Sequence, residues 1–295
     1  MNHGFTYTGI IGPRDEGLSL LEHLVVRHAH TPEGAWRERI KAGLVLVDGE
    51  PASADARLAR GQQVAWVRPP WEEADVPLAY AVLYEDGDLV AVAKPSGLPT
   101  HPNGGFLEHT LLHLVRRRHP GASPIHRLGR GTSGLVVFSL NAGANRALCE
   151  TLRQRAAVKV YRALVQGHPA LDAFTVDTPI GPVPHAALGT VHAASAEGKA
   201  ARSRVQVLER REAEALVEVR IETGRPHQIR IHTAASGHPL VGDPLYAPGG
   251  GIRADTSALP GDMGYLLHAF RLGLPHPRTG AWLDLECQPP PKLRL

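Results

Sequence analysis

The chain has 295 residues, of which 43% are hydrophobic and 21% charged, with a formal net charge of +3 when the histidines are neutral. That length holds one large domain or two smaller ones, and the composition excludes disordered, collagen-like and membrane-spanning classes. So mild a positive charge permits nucleic-acid binding without requiring it.

The N-terminal MNHGFTYTGI lacks the charged start and apolar stretch of a secretory signal. Leu21, Leu24, Val25 and His28 fall at helical spacing with Ser19 as a plausible cap, which predicts a first helix. A second short helix is expected over Trp36–Ala42, ended by Gly43. It is crowded with Arg37, Arg39 and Lys41, which read either as a solvated face or as an RNA contact. "LVLVDGEPA" reads as a strand entering an Asp48–Gly49 turn, and "QQVAWV" as a further strand. These elements predict a small α+β unit over residues 1–70. The Pro-rich, acidic stretch that follows predicts a linker over 71–80 and a larger domain over 81–295.

In the larger region, "AVLYEDGDLVAVAKPSGLPTHP" predicts two strands about an Asp86–Gly87 turn, the second stopping at Lys94–Pro95. Thr110 caps a helix over Leu111–Arg118 that ends in Arg116, Arg117 and Arg118. Residues 141–156 predict the clearest helix, capped by Asn141, with Ala144, Ala147, Leu148 and Leu152 on one face. In "ALVEVRIETG", Val217, Val219 and Ile221 alternate with Glu218, Arg220 and Glu222, as in a half-buried strand. "RPHQIRIH" reads as a strand with Pro226, Gln228 and Arg230 on one side and His227, Ile229 and Ile231 on the other. The tail "QPPPKLRL" reads as extended.

Two cysteines, Cys149 and Cys287, make no disulfide framework and fit a reducing, cytoplasmic compartment. There is no C-x-x-C, and the spacing of the 17 histidines predicts no metal site. Gly129, Gly131 and Gly134 in "HRLGRGTSGLVVF" have the spacing of a dinucleotide-binding turn. Such a turn opens a helix whose amides hold the pyrophosphate, whereas here Gly134 leads into Leu-Val-Val-Phe, a strand-forming run. No Gly-Lys-Ser/Thr follows, so a P-loop is excluded as well, and no nucleotide cofactor is expected.

The same stretch resembles the His-Arg-Leu-Asp-x-x-Thr-Ser-Gly-Leu loop of the RluA/RsuA-type pseudouridine synthases. "EDGDLVAVAKPSGLPTHP", "VKVYRALVQG", "TGRPHQIRIHTAASGHPLVGDPLY" and "LLHAFRLGLPHPRTG" are similar to further motifs of that family, in the family's order. The N-terminal unit is similar to the small RNA-binding domain shared with ribosomal protein S-four. The resemblance implies a mixed, largely antiparallel α+β synthase domain, an RNA partner, no membrane association, no metal or cofactor, and a monomer. It also implies isomerisation of uridine in structured ribosomal or transfer RNA, with Tyr161 as the surface for the flipped base and Arg230 as partner of the catalytic carboxylate. Arg127, Arg130, Lys159 and Arg225 would serve the RNA. The chain departs from the pattern at Gly129, where the family carries its catalytic Asp. That leaves open a non-catalytic RNA-binding protein on the same scaffold, or another acid reaching the site, for which Asp243 and Asp86 are the candidates.

Overall fold

The computed structural model describes residues 1–28 and 31–295, and the chain divides into two compact units after Glu73. In the first unit, strand β1 (Phe5–Ile10) is followed by helices α1 (Leu20–Arg27) and α2 (Glu33–Lys41). Strands β2 (Val45–Val47), β3 (Glu50–Pro51) and β4 (Gln63–Arg68) complete it. The sheet order is β1-β4-β2-β3, all antiparallel. Ser19 caps α1 through a reciprocal box with Glu22. Asp48 and Gly49 both take positive φ in the β2–β3 turn, the conformation a two-residue hairpin needs. Leu20, Leu24, Trp36, Ile40, Val45 and Val64 form the core. Strand β1 was not expected from the sequence; it carries Thr6, Thr8 and Gly9 and is exposed along its whole length, so no buried periodicity marks it.

The second unit is built on one ten-stranded sheet. Its elements are β5 (Ala81–Glu85), β6 (Leu89–Lys94), α3 (Leu111–Arg118), β7 (Ser123–Pro124), β8 (Ser133–Ser139), α4 (Ala142–Arg153) and β9 (Val158–Gln166). They continue with β10 (Ala173–Val176), β11 (Ile180–His185), β12 (Gly189–Ala194), β13 (Ser203–Arg210), β14 (Glu214–Ile221), α5 (Gln228–Ala235), β15 (Leu267–Pro275) and β16 (Trp282–Glu286). The order along the main path is β10-β13-β14-β9-β15-β8-β6-β5, with β16 on β15 and β7 on β8; β11 and β12 form a separate hairpin. Every pairing is antiparallel except β15 with β8, which are parallel over His268↔Ser133 and Ala269↔Gly134. The expected mixed, largely antiparallel α+β architecture is present. Residues 74–80, expected as linker, have no regular structure, but Val76 and Tyr80 pack on the core beside Val92, Leu98 and Leu111.

Two expectations fail. "QIRIHTAA" is helix α5, not a strand, and all but the last of its residues are buried. A fully buried helix has no polar face to set a period of 3.6, so a short buried helix and a strand look alike in sequence. The tail is not simply extended: Pro291–Leu293 makes a 3-10 turn that buries Leu293 against Leu164 and Leu216.

Candidate active site

Residues 125–132 connect β7 to β8, and segment 94–100 straps this loop in place. The Lys94 ammonium, buried at the end of β6, donates to the carbonyls of Pro95 (2.9 Å), Leu98 (2.6 Å) and Arg130 (3.2 Å). Gly97 N–H also reaches the Arg130 carbonyl, Ser96 Oγ donates to Gly131, and Thr100 exchanges hydrogen bonds with both backbone groups of Leu128. The Lys-Pro-Ser-Gly-Leu and His-Arg-Leu-Gly-Arg-Gly motifs are therefore one device. Burial pushes the Lys94 ammonium down to about 7, while its three carbonyl acceptors favour the charged form.

The glycines of the loop serve close packing. A Cβ on Gly131 would lie 2.9 Å from Tyr265 Cζ, and one on Gly134, at φ +111°, only 2.3 Å from the Ala269 carbonyl oxygen of the neighbouring strand. Gly129 differs. It is exposed and free of positive φ, and a Cβ there would meet only Tyr265 Oη at 3.0 Å and Thr132 Oγ1 at 3.6 Å. The backbone at position 129 accepts a side chain once the tyrosine hydroxyl gives by a few tenths of an ångström.

Arg230 does not use residue 129 as its anion. Its guanidinium makes a bidentate pair with Asp243, 2.7 and 2.8 Å, and donates to the Pro260 carbonyl. It lies against two aromatic rings, 4.9 Å from the centroid of Tyr246 and 4.3 Å from that of Tyr265. At 2% exposure such a charge needs its partner, and Asp243 is fixed in turn by the N–H groups of Leu245 and Tyr246. Tyr265 thus has its ring beside Arg230 and its hydroxyl beside position 129. Neither candidate substitute acid is free for chemistry. Asp243 is consumed by this pair. Asp86 sits at the far end of β6 from Lys94, accepting from Tyr84, His276 and two backbone amides, which hold its carboxyl well below the usual range although burial opposes them.

Tyr161, on β9 between β14 and β15, lines a narrow cleft with His126, Lys159, Ala269 and Arg271. It packs against both main cores of the unit, and burial raises its phenol to about 12, so it is neutral at physiological pH. Of the other ionisable groups lining the cleft, Lys159 and Arg271 are cationic, Arg271 being paired with Asp284, and His126 is neutral. Burial pushes His126 down to about 4, aided by Lys159 and His101; its Nε2 accepts from Val137 N–H. Burial likewise lowers His101, with Arg127 adding to the effect, and brings His227 to about 3 with Arg230 and Arg127 contributing and Asp243 opposing. Lys159 Nζ stands 3.8 Å from the Cβ position of Gly224, next to Arg225, whose Nε donates to the Ala200 carbonyl. Arg130 extends over Phe106 at 5.6 Å. His227, in the left-handed region at the start of α5, contacts Tyr246 Oη at 2.8 Å.

Of the residues the resemblance assigns to the site, Tyr161 and Lys159 share one cleft with His126, Gly129 and Arg230 both adjoin Tyr265, and Arg127, Arg130 and Arg225 lie in the loop and the turn beside them. Sequence reasoning missed Lys94, Tyr265 and His227. Lys94 had a signal, a lysine closing an apolar strand; Tyr265 had none, lying outside the motif spacing. In the N-terminal unit, Arg37 is engaged by Glu33 (2.8 Å) and Lys41 is exposed. Arg39 is not on a solvated face but turns onto Trp36 and Trp66. Near α3, Arg118 pairs with Glu85 and Arg116 donates to the Ala122 carbonyl, so the three arginines are not all open to RNA. Among the described residues one trio has metal-ligand proximity, Asp86, Asp88 and His276, and its atoms are taken by Tyr84, Asn141 and Arg278.

The sequence pattern of the family described as RNA pseudouridylate synthase matches residues 88–235. The chain belongs to the RNA pseudouridine synthase family. It is 41% identical to an RNA pseudouridine synthase of Synechocystis sp. over 276 residues, 93% of this chain and 95% of that one. It is 34% identical to the ribosomal large subunit pseudouridine synthase D of Neisseria meningitidis, over 85% of this chain and 70% of the relative. Among solved structures, human RNA pseudouridylate synthase domain containing 4 superposes with a TM-score of 0.56 at 27% identity, over 72% of this chain and 90% of that one. The synthase acts on RNA, and no described helix is long and apolar enough to cross a membrane.

Proposed function

We propose that this synthase isomerises a uridine of folded ribosomal RNA. In this reading Tyr161 forms the surface for the extruded base, and Arg127, Arg130, Lys159 and Arg225 meet the backbone. The N-terminal unit adds RNA contacts as an S-four-like domain through Arg37, Arg39 and Lys41. Support comes from the ribosomal relative and from the Lys159 ammonium that lines the Tyr161 cleft, a cation that suits a polyanion. The reaction breaks the bond from uracil N1 to ribose C1′ and makes one from C5 to C1′, releasing the C5 proton while N1 takes one up. It needs no net electron transfer.

The observation that carries the mechanism is position 129. It is open, unstrained and beside Tyr265 Oη, yet holds no carboxylate. Arg230 and Asp243 form the fixed wall of the site and act on position 129 only across Tyr265. Turnover by this chain is therefore slow. Gly129→Asp would place a carboxylate two residues from Arg127 and beside the Tyr265 hydroxyl, at an exposed position where it stays ionised at neutral pH. Positioned proton-transfer groups contribute about 10²–10⁴-fold, so a gain of at least ~10²-fold is expected. The test is tritium release from ribosomal RNA labelled at uridine C5, run on both proteins. Rapid release by the unmodified chain would show that an acid at 129 is dispensable. Release by neither, with RNA binding intact, would identify an RNA-binding protein without catalysis.

A further inference from the structure

The face of the N-terminal sheet that carries the core does not end where its helices end. Register sets Tyr7 of β1 opposite Trp66 of β4, and Trp66 opposite the buried Val45 of β2. Since alternate residues share a face, Phe5, Tyr7, Trp66 and Val45 lie on the same side as the helix-covered core. Moving outward from α2, Trp36 meets Trp66 edge-on at 5.2 Å and 80°. Trp66 stacks on Tyr7 at 5.0 Å and 16°, and Tyr7 meets Phe5 at 4.8 Å and 69°. Exposure rises along this series, from 0% at Trp36 to 39% at Tyr7 and 47% at Phe5. Two aromatic rings are thus left half in water at the open end of a ring ladder.

A cation stands beside the ladder. Arg39 Cζ is 4.5 Å from the ring centroid of Trp36 and 4.4 Å from that of Trp66. Its Nη1 is buried without a hydrogen-bond partner, and among the described residues no carboxylate comes within ion-pair distance. Arg68, opposite Phe5, lies over Trp71 at 3.3 Å and close enough to Arg39 to disfavour its charge, after burial. Open π-faces with an unneutralised guanidinium fit bases whose faces are free and whose backbone is anionic. A duplex hides those faces, and an apolar protein surface offers no anion to Arg39.

We propose that Phe5 and Tyr7 form a stacking platform for unpaired bases of single-stranded RNA, with Arg39 facing the backbone phosphate. This rests on the reading of the N-terminal unit as an RNA-binding domain and adds the kind of RNA segment it holds. The test uses the full chain with a labelled 12-nucleotide oligouridine and a 12-base-pair RNA duplex. Tyr7→Ala and Phe5→Ala should each weaken oligouridine binding roughly tenfold, leaving duplex affinity within twofold, since stacking is sequence-tolerant and strand-specific. Tyr7→Phe, which keeps the ring, should bind as the parent. Thermal melting identifies a variant that has lost its fold, and Phe5→Ala, at the first residue of the strand, repeats the test with less risk to it. Unchanged oligouridine binding, or equal loss on both ligands, overturns the platform. A change in sedimentation instead of RNA affinity assigns the face to self-association and also overturns it. The domain reading fails separately, if Arg37→Glu with Lys41→Glu leaves both affinities unchanged.

Discussion

Arg230 and Arg39 each lie against two aromatic rings, and they have opposite fates. Arg230 sits against Tyr246 and Tyr265 and is neutralised by Asp243; Arg39 sits against Trp36 and Trp66 and has no carboxylate near it. Cation–π contact is worth only about 0.5–2 kcal/mol, less than the cost of taking a guanidinium fully out of water. The buried site therefore carries an anion of its own. The partly exposed site manages without one and keeps its charge available. The first arrangement is frame; the second is surface.

That contrast breaks most readily at Asp243. Asp243→Asn leaves Arg230 buried and unpaired and should cost about 3–5 kcal/mol in urea unfolding, whereas Arg39→Gln should cost at most about 1 kcal/mol. Equal losses would erase the distinction.

Acid should also weaken the synthase unit. In the synthase unit, burial holds His126 down at about 4 and His227 at about 3 in the folded chain, against 6.5 for a free imidazole. Between those values the unfolded chain binds the extra protons, so stability is full above about pH 6.5 and falls as pH drops toward 4. For His126 the loss is at most about 3 kcal/mol, at ~1.4 kcal/mol per pKa unit. Denaturation midpoints at pH 7 and 4.5 should differ, and His126→Gln should reduce the difference; an unchanged difference would mean its ring is not held neutral by the fold.

The smallest effect sharpens the role of Tyr161. Tyr161→Ala should weaken capture of an RNA carrying the target uridine by ~1–3 kcal/mol, and Tyr161→Phe should not. If Tyr161→Ala unfolds the protein without a separable binding defect, the ring is core only.

What was legible in the sequence follows from which signals are local. Caps at Ser19, Thr110 and Asn141, the Asp48–Gly49 turn and the alternation of Val217, Val219 and Ile221 each act within a few residues and were all readable. The family was readable because ordered motif resemblance carries long-range information that periodicity lacks. Tyr265 was not readable, because its importance comes from packing against Gly129 and Gly131 more than 130 positions away. Helix α5 was misread because burial on every side removes the polar stripe that distinguishes a helix. Whether Arg39 lies on a solvated face or meets RNA stays open in the sequence, because spacing does not show that Trp66, on another strand, draws it inward.

The placement of β15 has a consequence for synthesis. This strand lies between β9 and β8 in the sheet, yet it follows both by about a hundred residues or more in the chain. His268 at its start bonds Ser133 Oγ, at the end of the loop that holds Gly129, and Tyr265 just before it packs on that loop. As the chain leaves the ribosome, the two halves of the sheet emerge early but stay unjoined until β15 arrives. A nascent chain that ends before β15 already carries the 94–100 strap but lacks Tyr265 and His268 against the loop. The seam between β8 and β9 closes only when this late strand arrives.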